Sequence, residues 1–263
     1  HYSPALGVME RRAKDDQEIQ WLQAAQATTE SAISLACEII ANANADKDGN
    51  LLHGGEILTA EIMRSIVDVF LLEQDYSNPR SIIACGPIGA DCHNYGTGAL
   101  RTEQPVIVDI FPQNRRTLYN GDCTRTVVNG TIDEMIQRMH TAVCEANSAG
   151  CASVRAGVTG EEVHRATIQI TKDNGYSTGL PGPDDPISFC SMTHGTEHAV
   201  GLDVHEPPLL DFGGPELIVG DCLTIEPGLY CRAVGGVRVE DMVITTADGC
   251  LQLNSLHSGL DWT

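Results

Sequence analysis

Residues Thr193–Pro208 read T-H-G-T-E-H-A-V-G-L-D-V-H-E-P-P. Three of the chain's nine histidines, His194, His198 and His205, fall inside this stretch. A neutral imidazole is a good ligand for a borderline divalent cation, but one nitrogen does not make a site. Two strand-like stretches, residues 106–128 and 222–244, supply partners, each with two acids at nearly matching spacing. Asp109 and Asp122 are 13 apart, and Glu226 and Glu240 are 14 apart. The reading is a cage of four carboxylates and one histidine.

The local sequence supports it. Val106-Ile-Val-Asp109, Leu223-Thr-Ile-Glu226 and Val237-Arg-Val-Glu240 are apolar strands that run into an acid. Alternation turns each acid inward, where a lone carboxylate is costly unless it is paired or holds a metal. Pairing with Arg125 or Arg238 is the competing explanation. It serves one acid better than three acids together with Asp122 and a histidine cluster. Four carboxylates match the charge of two divalent cations. Five mixed O/N ligands are too many for one tetrahedral zinc and suit a dinuclear site of Mn, Co, Fe or Zn, with oxygen-rich ligation tilting toward Mn. Two such ions can acidify a shared water and polarise a carbonyl, which is machinery for hydrolysing an amide.

Bulk properties exclude other classes. The chain has 263 residues, is 42% hydrophobic and carries a net charge of −20. That charge argues against nucleic acid, since nothing would neutralise phosphates. No run of eighteen apolar residues exists, so no membrane span is expected. The first residue is His and no signal peptide precedes it, so a trimmed chain or one domain of a longer, cytoplasmic protein is expected. Ten cysteines without a C-x-x-C pair read as small buried hydrophobes in a reducing compartment.

Periodicity predicts helices over 14–45, 59–74 (capped by Thr59), 132–149 (capped by Thr131 with Glu134 in a capping box) and 159–174. Strands are expected at 81–85, 106–111, 125–128, 189–193, 198–204, 222–231, 237–246 and 250–253. Helices followed by an acid-bearing β-hairpin thus occur twice. The expectation is one α+β domain over 1–263, with helices outside an antiparallel sheet.

With these motifs in place, the chain resembles the pita-bread metallopeptidases, the family of aminopeptidase P, prolidase and methionine aminopeptidase. The resemblance covers about Lys14 to Gly249. Its motifs are V-D-I-F-P (108–112), G-D-C-T-R-T-V-V-N-G (121–130), H-G-T-E-H-A-V-G-L-D-V-H-E-P-P (194–208), T-I-E-P-G-L-Y (224–230) and G-G-V-R-V-E-D (235–241). It implies a curved antiparallel sheet covered by helices, in two pseudo-two-fold halves. It implies that Asp109 chelates one metal, that Asp122 and Glu240 bridge both, and that His198 and Glu226 complete the second. Glu226 would also shuttle the proton of the attacking hydroxide. His93 would lie near the leaving residue, His205 beside the substrate carbonyl, and His194 in a supporting position. Arg238 would share a face with Glu240 and orient that carboxylate. The remaining histidines, His1, His53, His140, His164 and His257, read as surface or satisfied core residues.

The short Glu226–Glu240 gap and the H-E-P-P ending resemble the Xaa-Pro branch. The implied activity is hydrolysis of Xaa-Pro bonds in dipeptides or at peptide N-termini, by a metal-bridging hydroxide, with a homodimer as a further expectation. Three departures stand out: a hairpin tip at 113–120 two residues longer than usual, Glu197 where many members have a small or apolar residue, and no separate N-terminal domain. They keep two alternatives open: a same-fold hydrolase or lyase with a non-peptide substrate, and a non-catalytic protein-binding module.

Overall fold

The computed structural model describes residues 7–263; His1 lies outside them. Helix α1, Asp16–Ala41, starts where Asp15 accepts from the amides of Gln17 and Glu18 and Glu18 returns a bond to the Asp15 amide. Leu22, Ala25, Ile33, Ala36 and Ile40 line its buried stripe. Helix α2, Ala60–Glu73, is capped by Thr59 as expected. Helix α3 is Glu134–Ser153 and helix α4 is Gly160–Asp173. The Thr159/Glu162 capping box opens α4. The predicted start of α3 was two residues early. Asp133, not Thr131, is its cap, because the Asp133 carboxylate reaches the Met135 amide at 2.7 Å. Glu134 is therefore the first helical residue and forms no box.

In the first half, strands β1 (Ile82–Cys85), β2 (Pro105–Ile110) and β3 (Cys123–Val128) form an antiparallel sheet in which Asp109 stands between Ile82 and Thr124. The second half supplies β4 (Cys190–Met192), β5 (His198–Ala199), β6 (Glu206–Leu209), β7 (Cys222–Ile225), β8 (Gly228–Cys231), β9 (Gly235–Arg238), β10 (Asp241–Thr245) and β11 (Cys250–Gln252). One sheet runs β6-β5-β7-β10-β11; another contains β9-β8-β4 with Ser177–Thr178 added in parallel to β4.

Two predicted long strands are thus each broken in two. Residues 222–231 split at Glu226-Pro227, and residues 237–246 split at Val239-Glu240. Proline cannot donate to a ladder, and at this point the chain leaves one sheet for the other. The predicted strand 198–204 shrinks to two residues with a register irregularity between His198 and Ala199.

Each half has its own apolar core. Ile33, Ile40, Leu51, Met63, Val106 and Val108 pack under α1 and α2. Met139, Val143, Leu229 and Val237 pack under α3. Both helix pairs also grip the acid-bearing strands directly. Gln26 of α1 donates to the Asp122 carbonyl at 2.7 Å and accepts from the Asp122 amide at 2.9 Å. Asn147 of α3 donates to the Ile225 carbonyl at 2.7 Å. Gly121 permits the first grip, since a Cβ there would stand 2.2 Å from Thr29 Oγ1.

Cysteines divide evenly. All ten are free thiols; Cys37, Cys123, Cys151, Cys222 and Cys231 are buried, and the other five are partly exposed. Among the described residues no helix is long and apolar enough to cross a membrane.

Candidate metal centre

One cavity of about 200 Å³ is lined by all nine residues singled out from the sequence: Asp109, Asp122, His198, Glu226, Glu240, His93, His194, His205 and Arg238. Asp109, Asp122 and Glu240 are buried and bring carboxylate oxygens within 4.8 Å of one another. Glu197, His198 and Glu226 form a second such group beside them. His93 is exposed, and His205 is exposed with its ring edge-on to His198 at 4.3 Å.

The electrostatics of this cluster are unusual. Burial raises all four acids. Asp122 goes well above the usual range, with Glu240 and Asp109 adding to the effect, and Glu226 does likewise, with Glu240 and Glu197 adding. Glu240 is pushed up to about 8 by burial and then by Asp109. Asp109 rises less, because Arg238 opposes its burial. One guanidinium thus faces four carboxyls that the fold has removed from water.

His198 shows the complementary behaviour. Burial, then His205, brings it down to about 4, so its ring is neutral at neutral pH. Nδ1 lies 3.1 Å from the Ala199 carbonyl, which assigns the proton to that nitrogen. The Nε2 lone pair therefore points at Glu226 Oε1, 3.5 Å away, and Asp122 Oδ2, 3.8 Å away. Acceptors that face each other in a buried site repel unless a proton or a cation lies between them. Asp109 Oδ1 makes the same point, being buried with no hydrogen-bond partner. The donor set fits a pair of divalent cations: neutral imidazole held by its far nitrogen, plus oxygens that lack compensation.

Arg238 departs from its expected role. Its Nη2 donates to Asp109 Oδ2 at 2.5 Å and its Nε lies 3.7 Å from Glu226 Oε2. Glu240 is held instead by the Thr124 hydroxyl, at 2.7 Å. Both side chains line the cavity, but Arg238 is long enough to reach past Glu240 to Asp109. Arg125 is no partner for the cage either. It turns away to Asp241 at 2.7 Å and to the Glu240 and His257 carbonyls.

Two contributors escaped the sequence reading. Thr124 lies two residues after Asp122, so β-alternation alone would have placed it on the cavity face. Tyr230 takes a bond from Arg238 Nη1 at 2.9 Å and lies 2.7 Å from His194 Nε2. It sits two beyond Gly228 on β8, but nothing local marks its partners. Of the histidines read as satisfied, His140 contacts the Ser258 carbonyl and His164 contacts Thr196 Oγ1, both buried. His53 and His257 are exposed.

The sequence pattern of metallopeptidase family M24 matches residues 20–247. A probable dipeptidase PepE of Mycobacterium tuberculosis is 31% identical over 198 residues, covering 74% of this chain and 49% of the relative. An Xaa-Pro dipeptidase of Pyrococcus furiosus is 32% identical over 143 residues, covering 54% and 38%. The solved prolidase from Pyrococcus furiosus superposes with a TM-score of 0.79 at 25% identity, over 95% of this chain and 67% of that one. The chain spans about half the length of the PepE relative. Its α+β arrangement is the pita-bread fold of these structures.

Proposed function

The chain belongs to metallopeptidase family M24, and from that premise we propose that it hydrolyses Xaa-Pro bonds, in dipeptides or at the N-termini of peptides. The observation that carries the reading is the convergence of Asp109, Asp122, His198, Glu226 and Glu240 on one cavity with Asp109 Oδ1 buried and unpartnered. These five residues would hold two divalent cations, Mn first by their oxygen-rich character, with Co, Zn or Fe as alternatives. Asp109 would chelate one, Asp122 and Glu240 would bridge, and His198 and Glu226 would complete the other. Bound there, the cations would supply an acidified water and polarise the scissile carbonyl. Residues 1–263 are read as one catalytic domain.

The protein's own groups would do the rest. Glu226 takes a proton from the attacking water at a carboxylate oxygen and hands it to the leaving nitrogen. His205, stacked edge-on against His198, donates to the substrate carbonyl. His93, at the cavity wall, would lie near the leaving residue. Tyr230 steadies His194, and Arg238 fixes the Asp109 carboxylate. An Xaa-Pro bond has no N–H, so peptidases that grip that donor fail on it. This wall of imidazoles and carboxylates does not depend on that donor. The relative named as an Xaa-Pro dipeptidase supports the same substrate class.

The test is release of free proline from Ala-Pro and Gly-Pro, set against Ala-Pro-Ala, by metal-loaded protein. Cleavage of the first pair alone identifies a dipeptidase, and cleavage of the tripeptide an aminopeptidase. Bound transition metal without cleavage of any of the three would replace the proposal with a non-peptide substrate. Protein that takes up no metal in excess Mn would make the chain a binding module.

A further inference from the structure

Glu197 is the one acid at the cavity that the five-ligand cage does not use. Successive side chains on a regular strand point to opposite faces. Glu197 precedes β5 and lies outside any strand, so that alternation does not bind it, and Glu197 and His198 both line the cavity. The irregular entry into β5 therefore delivers two consecutive side chains to one place. Ligand atoms of Glu197, His198 and Glu226 all lie within 4.8 Å of one another. One ion with bonds of about 2.0–2.2 Å spans that distance with small side-chain adjustments. Oε1 of Glu197 rests 3.2 Å from His194 Nδ1, and its other oxygen takes no hydrogen bond among the described residues.

We propose that Glu197 is a further ligand of the divalent cation held by His198 and Glu226. The inference rests on the two-cation reading of this cavity. An observation besides the acidic cluster points to a ligand there: Nε2 of the buried His198 has no hydrogen-bond partner among the described residues and is aimed at carboxylate oxygens of Glu226 and Asp122. An added carboxylate raises the oxygen share and coordination number of that site. That favours a hard, six-coordinate ion such as Mn over Zn.

The experiment titrates metal-stripped full chain with MnCl2 and with ZnCl2 by calorimetry, for wild type, Glu197→Gln, Glu197→Asp and His194→Gln. Wild type is expected to take up two ions. Glu197→Gln should weaken one of them about 10–100-fold, more for Mn than for Zn, and leave the other unchanged. Glu197→Asp keeps the charge on a shorter arm and should recover part of the loss. His194→Gln should leave both affinities nearly as they are, because the Gln amide can still donate to Oε1 of Glu197. An unchanged Glu197→Gln isotherm overturns the inference while leaving the two-cation reading intact. So does a His194→Gln variant that reproduces the loss, since Glu197 would then act only by orienting His194. A wild-type chain that binds no ion overturns both. Thermal unfolding of each metal-free variant separates lost affinity from lost fold.

Discussion

Replacing Glu240 by Gln should stabilise the metal-free protein, and the gain should grow with pH. Glu240 is 1% exposed, and folding raises its carboxyl from 4.5 to about 8. A carboxyl raised in this way binds its proton more tightly in the folded chain. Its stabilisation is complete below about 4.5 and is lost as the pH climbs through about 8. At pH 7 the loss is on the order of 3 kcal/mol, from about 1.4 kcal/mol for each tenfold step in proton concentration above 4.5. Gln is nearly isosteric, accepts the Thr124 hydroxyl and has no proton to lose. Asp46, Glu61, Glu161 and Glu162 are lowered by their hydrogen bonds and tilt stability the other way. They are common to both proteins and cancel in the difference. In chelator, the melting temperature of Glu240→Gln relative to wild type should rise by on the order of 5–10 °C between pH 4 and pH 7. Excess Mn should then reverse the order, because only wild type keeps the bridging carboxylate. A difference that stays flat with pH, or falls, would refute the idea that burial of this acid is an uncompensated cost of the metal-free state.

Other perturbations separate the roles. Thr124→Val removes the hydroxyl that holds Glu240 and should weaken metal uptake about tenfold, read by calorimetry, with little change in the metal-free melting point. Gly96 has φ +75°, and a Cβ there would stand 1.8 Å from the Ile83 carbonyl oxygen. Gly96→Ala should therefore cost about 2 kcal/mol or more in urea unfolding and disturb the loop that carries His93. His205→Ala should lower kcat for an Xaa-Pro dipeptide by about 10²–10⁴-fold while metal stoichiometry, read by elemental analysis, stays the same. Asn129 donates to the carbonyls of Ile40, Ala41 and Ala43 at the end of α1. Asn129→Ala should cost about 1–3 kcal/mol of stability and leave metal affinity unchanged.

The lining of the cavity was legible because its chemistry conflicts with its setting. An acid at the end of Val106-Ile-Val-Asp109 breaks the rule that buried strands are apolar, and such conflicts mark sites. The helix start at Thr59 was legible from local capping chemistry, while Asp133 won over Thr131 because both can cap and only the backbone decides. Partnerships across the cavity were not legible. Alternation tells which face a side chain takes, but Arg238 is long enough to pass Glu240 and reach Asp109. The breaks at Glu226-Pro227 and Val239-Glu240 were missed for a related reason: both flanks of each break are strand-like, so continuity was the simpler reading. Pro227 was the available signal for the first break, and the second has none in its own residues.

Those breaks govern how the site can be tuned. Ile225 pairs with Asp241 in one sheet, and Gly228 pairs with Arg238 in the other. Glu226 and Glu240 therefore stand at the seam, each with one neighbour anchored on either side. The bite between the two groups of oxygen ligands is set by the splay of the sheets. A volume change behind the seam, at Leu229 or Val243, reaches the cavity as an altered bite rather than as a missing contact.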